Sequence, residues 1–290
     1  MNILFDTSHN LRSGWKFAVY VVFFFLIWFV SGTALAIVLS LLYPGSNAPD
    51  DQLTGFALNV VALAIPAVTG MLLMVRFIDR RPLKTFGVGF LPRWRRHLGS
   101  GLALAAGMVA VLMAGCFAFG YVHIGWTGRQ VPVLTLAGTL GVLLLAAANE
   151  ELVFRGFPLQ VLIEGFGEWP AVVFMSVLFG LVHSKNPNSS FLSTTNTIVA
   201  GILLSLAYVR TRSLWFPYGI HLGWNVGVGF ILGFHLSGVD LASIWTTGIA
   251  GRDTILGGDY GPEGGLLATF IFASSAVIVQ SWGTGRNAKE

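Results

Sequence analysis

The stretch Asn149-Glu150-Glu151-Leu152-Val153-Phe154-Arg155-Gly156 decides how this chain is read. It follows seven unbroken apolar residues, Val142 to Ala148. Two adjacent carboxylates at the end of such a run are costly. An acid at the centre of a membrane helix costs about 3 kcal/mol on insertion scales, and less near the interface. The pair therefore marks a polar interior, and its partners must lie elsewhere in the chain. At about 100° per residue, Glu151 and Arg155 fall about 40° apart, one turn from each other on one face. Glu150 falls about 140° from Arg155 on the same count. The spacing predicts a structural Glu151–Arg155 pair within one helix and a Glu150 turned towards something else. The plainer alternative is an ion-pair cluster at a helix end.

Composition sets the class. Of 290 residues, 54% are hydrophobic and only 10% charged, with a mean hydropathy of +0.74. A soluble domain carries about 25% charged residues. The chain reads as all-α, a polytopic bundle of transmembrane helices forming a single membrane domain over residues 1–290. The pI near 9.5 does not point to nucleic acid. The basic residues sit in short segments between apolar runs, the pattern of membrane topology. The single cysteine, Cys116, allows no internal disulfide. The first apolar run, 17–43, is too long for a signal-peptide core and reads as a retained span.

Eight spans fit the apolar runs: 17–43, 55–78, 98–122, 132–155, 169–183, 196–210, 217–234 and 264–282. The fifth and sixth are short, which suits a protein-lined interior better than lipid contact. With the N-terminus inside, the cytoplasmic segments hold Arg12, Lys16, Arg76, Arg80, Arg81, Lys84, Arg93, Arg95, Arg96, Arg155, Arg210, Arg212, Arg286 and Lys289. The other side holds Arg129, Lys185 and Arg252, a division of 14 to 3 that accounts for all 17 basic residues. Both termini are expected to be cytoplasmic, in the inner membrane if the source is prokaryotic. The basic loop 79–97 is expected to set topology and lie on anionic headgroups, so membrane lipids are the first expected partner. Residues 156–169 should form a short interfacial helix, with Pro158 in its first turn. The polar turn cluster 186–190 and the Gly-rich loop 235–263 should be irregular. His9 and His97 should face solvent or headgroups, and His123 and His235 the interface.

Three more polar residues interrupt apolar runs. His183 closes the run 171–182. His221 and Asn225 lie about 40° apart on one face of the seventh span. Gly223, Gly227, Gly229 and Gly233 repeat small residues there, which lets helices approach closely. One histidine alone is better read as a packing or capping residue. Together with Glu150, four acid–base or ligand-type residues on three apolar helices are hard to explain as packing. Trp224, beside Asn225, is placed to wall a cavity.

The pattern Glu150-Glu151-x-x-x-Arg155, Phe179-x-x-x-His183, His221-x-x-x-Asn225 resembles the type II CAAX prenyl protease and bacteriocin-processing family of intramembrane proteases, also called CPBP or Abi proteins. All three motifs occur in the family's order, on separate expected helices. The resemblance covers roughly residues 130–235. It implies a helical bundle whose interior catalytic cavity opens to the cytoplasmic side, and a membrane-associated protein or peptide as substrate. It also implies an acid–base site and leaves open whether a metal takes part.

The residues themselves allow that chemistry. Amide hydrolysis needs an activated water and a stabilised oxyanion. Glu150, turned from Arg155, is placed as the base, with His183 sharing its water. His221 and Asn225 are donors for the oxyanion. No His-Glu-x-x-His motif is present, yet Glu150, His183 and His221 could supply three ligands to a divalent metal, zinc above others, with one position left for water. A serine-protease reading through Ser184 is weak, because no Gly-x-Ser-x-Gly elbow is present. Two other classes compete with an endopeptidase. A proton-coupled transporter should show paired repeats and broken helices, and none is visible. A non-catalytic immunity or interaction protein of the same family would not need intact motifs.

Overall fold

A computed structural model describes residues 3–5, 7, 10–43, 52–90, 92–118, 122–126, 131–249 and 253–281. His9, Arg129, Arg252, Arg286, Lys289 and the side chain of His123 lie outside the described residues. The chain is mostly helical: α1 Ser13–Leu42, α2 Gln52–Leu73, α3 Trp94–Ala118, α4 Val133–Arg155, α5 Phe157–Phe166, α6 Glu168–His183, α7 Phe191–Thr211, α8 Trp215–Asn225, α9 Asp253–Leu256 and α10 Leu266–Ser281. Two strands, β1 Val122–Trp126 and β2 Trp245–Ile249, pair antiparallel with Ile124 opposite Thr247.

A helix stands at each of the eight expected spans. Five are long and apolar enough to cross a membrane: α1, α2 with its π-helical extension to Asp79, α3, α4 run on through α5, and α7. α6 and α10 are apolar but only 16 residues each. α8 is an 11-residue α-helix that widens into π-helical turns over Val226–Ile231. The outer surface agrees with a lipid setting: Phe25, Leu26, Phe29 and Val30 of α1 are all exposed. In water such a surface would be anomalous. The chain is an integral membrane protein.

Local chemistry explains several boundaries. α7 begins five residues before its expected start because Ser190 and Ser193 form a capping box. Ser193 N donates to Ser190 Oγ at 3.1 Å and Ser190 N to Ser193 Oγ at 2.7 Å, closing an end that would otherwise hold unpaired donors. α3 ends at Ala118, before its expected limit of 122, and Val122 already lies in β1. The loop 235–263 is not irregular throughout. It contributes β2 and α9, and Glu263 pins it. Trp224 Nε1 donates to Glu263 Oε1 at 2.9 Å, and Ser237 N and Oγ donate to Glu263 Oε2 at 2.8 and 2.5 Å. Trp224 thus serves this lock, with its ring against Phe272 at 4.9 Å.

α5 is more than an interfacial helix. Phe157 to Leu162 are buried, and Phe157 packs against Phe86 and Tyr20. A charged network ties its far end to the basic loop. Arg81 grips Asp79 on one side and Glu164 on the other, with Nη1–Oε1 2.5 Å to the latter, while Lys16 reaches Asp79 at 2.8 Å. Arg81 is therefore spent inside the protein. His97 is half-buried rather than solvent-facing, and His235 Nδ1 bonds Asp259 O at 2.9 Å.

Candidate active site

Three helices deliver the polar residues, and each is fixed by a close approach that only small residues allow. α4 ends in a sharp turn at Gly156. A Cβ there would lie 2.4 Å from Leu152 O. The turn leaves Glu150 and Glu151 in the last turns of α4 and starts α5 at once. α6 lies tight on α7: a Cβ on Gly180 would meet Ile198 Cγ1 at 2.4 Å and Thr194 O at 2.9 Å. His183 follows one turn later.

α8 is held by its glycine face. A Cβ on Gly219 would lie 2.6 Å from Leu98 O, one on Gly223 2.7 Å from Ala105 Cβ, and one on Gly227 2.7 Å from Val109 Cγ2. Gly101 completes the seam from α3, where a Cβ would sit 2.4 Å from Phe216 O. Gly219 and Gly223 lie about 160° from His221 around the helix. Seating the glycines on α3 therefore turns His221 and Asn225 the other way, towards α4. Gly229 and Gly233 of the expected repeat do not join this seam. They face Leu236, Leu241, Ser243 and Trp245 instead.

The side chains then converge. Glu150 Oε2 lies 3.6 Å from His183 Nε2 and 3.7 Å from His221 Nε2, and it is buried with no hydrogen-bond partner. Glu151 Oε1 lies 2.8 Å from His221 Nδ1 and 3.3 Å from Arg155 Nη1. His183 Nδ1 lies 2.8 Å from Phe179 O. A carbonyl and a carboxylate only accept, so Nδ1 is the donor in both rings. In the neutral form each Nε2 then carries a lone pair, and both face Glu150. Three acceptor atoms meet where a donor is required.

Arg155 sits beneath this cluster, fully buried. Its Nη2 donates to Gly201 O at 3.2 Å, and its guanidinium lies 4.4 Å from the Phe179 ring centroid. Phe179 also lies tilted against His183 at 4.4 Å and meets His221 edge-on at 6.3 Å. Exposure falls from Glu150, 22%, through His183, 14%, and His221, 10%, to Glu151, 2%. Glu150 is thus the most accessible member and Glu151 a buried one. Asn225 is buried one turn beyond His221. No ion pair or hydrogen bond among the described residues joins it to Glu150, His183 or His221.

Two features were not legible from spacing. Glu151 bridges Arg155 and His221, where only the first partner was expected. Asn149 is buried and donates from Nδ2 to Val60 O of α2 at 2.8 Å. A carboxamide inside an apolar run is itself a signal for such a tie. A cleft of about 300 Å³ lies between α2 and α4, lined in part by Leu58, Val61, Thr139 and Val142. None of the six expected site residues lines it.

The donor types of Glu150, His183 and His221 suit zinc, and both rings have the outer partners that metal-binding histidines use. Among the described residues, however, no three His, Cys, Asp or Glu side chains are grouped so as to hold a metal ion. No chemical step below is routed through one.

Comparison with known proteins follows the same residues. The chain is Rce1-like over residues 132–227, where it matches the type II CAAX prenyl endopeptidase family of that description. The matched segment contains Glu150, Glu151, Arg155, His183, His221 and Asn225, and the family is one of proteases. The chain is also 27% identical over 135 residues to an uncharacterized 24.3 kDa protein of Escherichia coli. That similarity covers 42% of this chain and 60% of the relative, so the chain spans less than two thirds of the relative's length.

Proposed function

We propose that this Rce1-like chain is an intramembrane endopeptidase that cleaves a peptide bond of a membrane-associated protein or peptide, in a CAAX-type or related processing step. The observation that carries the reading is Glu150 Oε2, buried, unpartnered and within 3.7 Å of both histidine Nε2 atoms. These separations are too long for direct hydrogen bonds. A water about 2.8 Å from Glu150 Oε2 and from His183 Nε2 would bridge the two. It would offer its two hydrogens to Glu150 Oε2 and His183 Nε2, and His221 Nε2 is relieved by a proton of its own.

In this mechanism Glu150 takes a proton from the water as oxygen attacks the scissile carbonyl carbon. His183, locked by Phe179 O, holds the water's remaining hydrogen. The carbonyl oxygen becomes an oxyanion beside α8. The Asn225 amide donates to it, and so does His221 Nε2 where the ring enters the cycle already protonated by solvent, with Nδ1–H held by Glu151; that proton stays on the ring throughout. Glu150 then returns its proton to the amine as the C–N bond breaks. One water is consumed, and two peptide ends leave. Glu151 and Arg155 act through His221 and the helix frame, not on the substrate. Both termini are assigned to the cytoplasmic side on the charge bias, which would open the site to that side.

The test is cleavage of a peptide panel, prenylated and unprenylated, by the purified chain. Glu150→Gln and His183→Ala should each abolish turnover while leaving the folded yield unchanged, because groups that act as a unit fail together. Full activity in Glu150→Gln would end the proposal. A chelator arm addresses metal: loss of turnover restored by zinc would show that Glu150, His183 and His221 close on a metal in the working enzyme.

A further inference from the structure

The segment from Arg76 to His97 is one-sided in charge. Arg76, Arg80, Lys84, Arg95 and Arg96 are all exposed. The sole acid between them, Asp79, has a fully buried carboxylate held by Lys16 and Arg81. So the exposed charge is all positive. Large apolar rings stand among these cations. Phe77 is 61% exposed and Phe90 75%. Arg76 lies over Phe77 at 5.7 Å, and Arg95 over Trp94 at 5.4 Å.

This surface is built rather than loose. Phe90, Trp94 and Trp215 form a cluster, with Phe90 stacked on Trp215 at 5.6 Å, edge-on to Trp94 at 4.9 Å, and Trp94 tilted against Trp215 at 4.9 Å. Trp215 Nε1 donates to Gly89 O at 2.8 Å, and Leu214 N to Gly87 O at 3.1 Å. Gly87 has φ +74°, and a Cβ there would lie 2.9 Å from the Tyr208 ring. The loop is therefore moulded onto the start of α8, six residues before His221.

We propose that Arg76–Arg96 and Trp215 form a docking surface for anionic phospholipid headgroups, with the cations on phosphate and the aromatic rings at the acyl boundary. Cations interleaved with exposed aromatic rings are what a headgroup layer selects. A soluble acidic peptide would satisfy the cations but leave Phe77 and Phe90 in water. The seating on α8 places this lipid contact beside the helix that carries His221. The inference does not rest on the peptidase reading, and its test needs no substrate.

The test is thermal unfolding of the full-length protein in a neutral detergent, with added phosphatidylglycerol, phosphatidylcholine or polyglutamate. Phosphatidylglycerol should raise the midpoint by about 3 °C or more, as ligand near tenfold above its Kd does for a chain of this size. Phosphatidylcholine should not match it, and high salt should reduce the gain. The combined change Arg80→Gln, Lys84→Gln, Arg95→Gln and Arg96→Gln should remove the gain. Phe90→Ser alone should halve it. If the fourfold variant does not fold, Arg95→Gln and Arg96→Gln singly should each lower the gain. Equal shifts from the two lipids, or an undiminished gain in these variants, would overturn the proposal. An equal shift from polyglutamate would replace the lipid with a soluble acidic partner.

Discussion

Changing Glu151 to Gln probes the buried end of the site and separates two duties of one carboxylate. Arg155 is fully buried and 3.3 Å from Glu151 Oε1. Removing one partner of a buried pair costs about 3–5 kcal/mol, because the other charge is left alone. Here the loss falls at the low end. Arg155 keeps Gly201 O at 3.2 Å and the Phe179 face at 4.4 Å, and a desolvated cation–π contact offsets up to about 2 kcal/mol. Glu151→Gln should therefore destabilise by about 3 kcal/mol. Arg155→Met should cost a similar amount, since it leaves a carboxylate whose Oε2 already has no partner. The double variant removes both charges and keeps the volumes, so it should fall about 2–3 kcal/mol short of the sum of the singles. The measurement is reversible unfolding in mixed micelles by a denaturing detergent. Gln also retains an oxygen that can accept from His221 Nδ1–H. Any folded Glu151→Gln should thus keep more turnover than Glu151→Leu. Additivity within about 0.5 kcal/mol would show that Glu151 and Arg155 are not a coupled pair.

The remaining expectations concern the frame and the oxyanion. Gly219→Val would drive a side chain into Leu98 O and Gly101 Cα, at 2.6 and 3.1 Å from the Cβ. It should destabilise the fold by about 1–3 kcal/mol through overpacking, read as a lower melting point, and reduce turnover by moving His221, whereas Gly107→Ala, with nothing within 4 Å, should do neither. Glu263→Ala strands Trp224 Nε1 and Ser237 N, each worth about 1–3 kcal/mol when left unpaired. Limited proteolysis should then cut within 235–263, where the parent chain resists. Asn225→Ala should lower kcat by about 10²–10³ with KM little changed, as for one lost oxyanion donor, and an unchanged kcat would take Asn225 out of the mechanism.

The helical, membrane-embedded class was legible because apolar run length speaks directly to it. Which helices approach each other was only half legible. Gly223 and Gly227, and again Gly229 and Gly233, stand four residues apart and read as places of close approach, but Gly219 belongs to the real seam and the last two do not. Past Asn225 the helix widens to π-turns, which breaks the phase on which the spacing argument relies. β2 was missed because five residues, Trp-Thr-Thr-Gly-Ile, inside a Gly-rich loop are too few for alternation to declare itself. Ser190 was readable as the end of a turn cluster, but its pairing with Ser193 as the cap of α7 was not.

At the site, residue types were legible and their pairing was not. Helical phase set Glu150 apart from Glu151 within α4, since both lie on one rigid element. It carried nothing about the rotation of α8 against α4. That rotation is fixed by glycines on the far side of α8, packed on α3, a helix bearing none of the proposed catalytic groups. The Glu151–His221 bond at 2.8 Å follows from that seating. One carboxylate therefore joins a buried cation on its own helix to a ring on another, while its neighbour stays unpartnered and more accessible. A lone acid at this depth would have only the cost of burial. Two adjacent acids divide the work, and the buried one helps to fix the scaffold that holds the other ready for a proton.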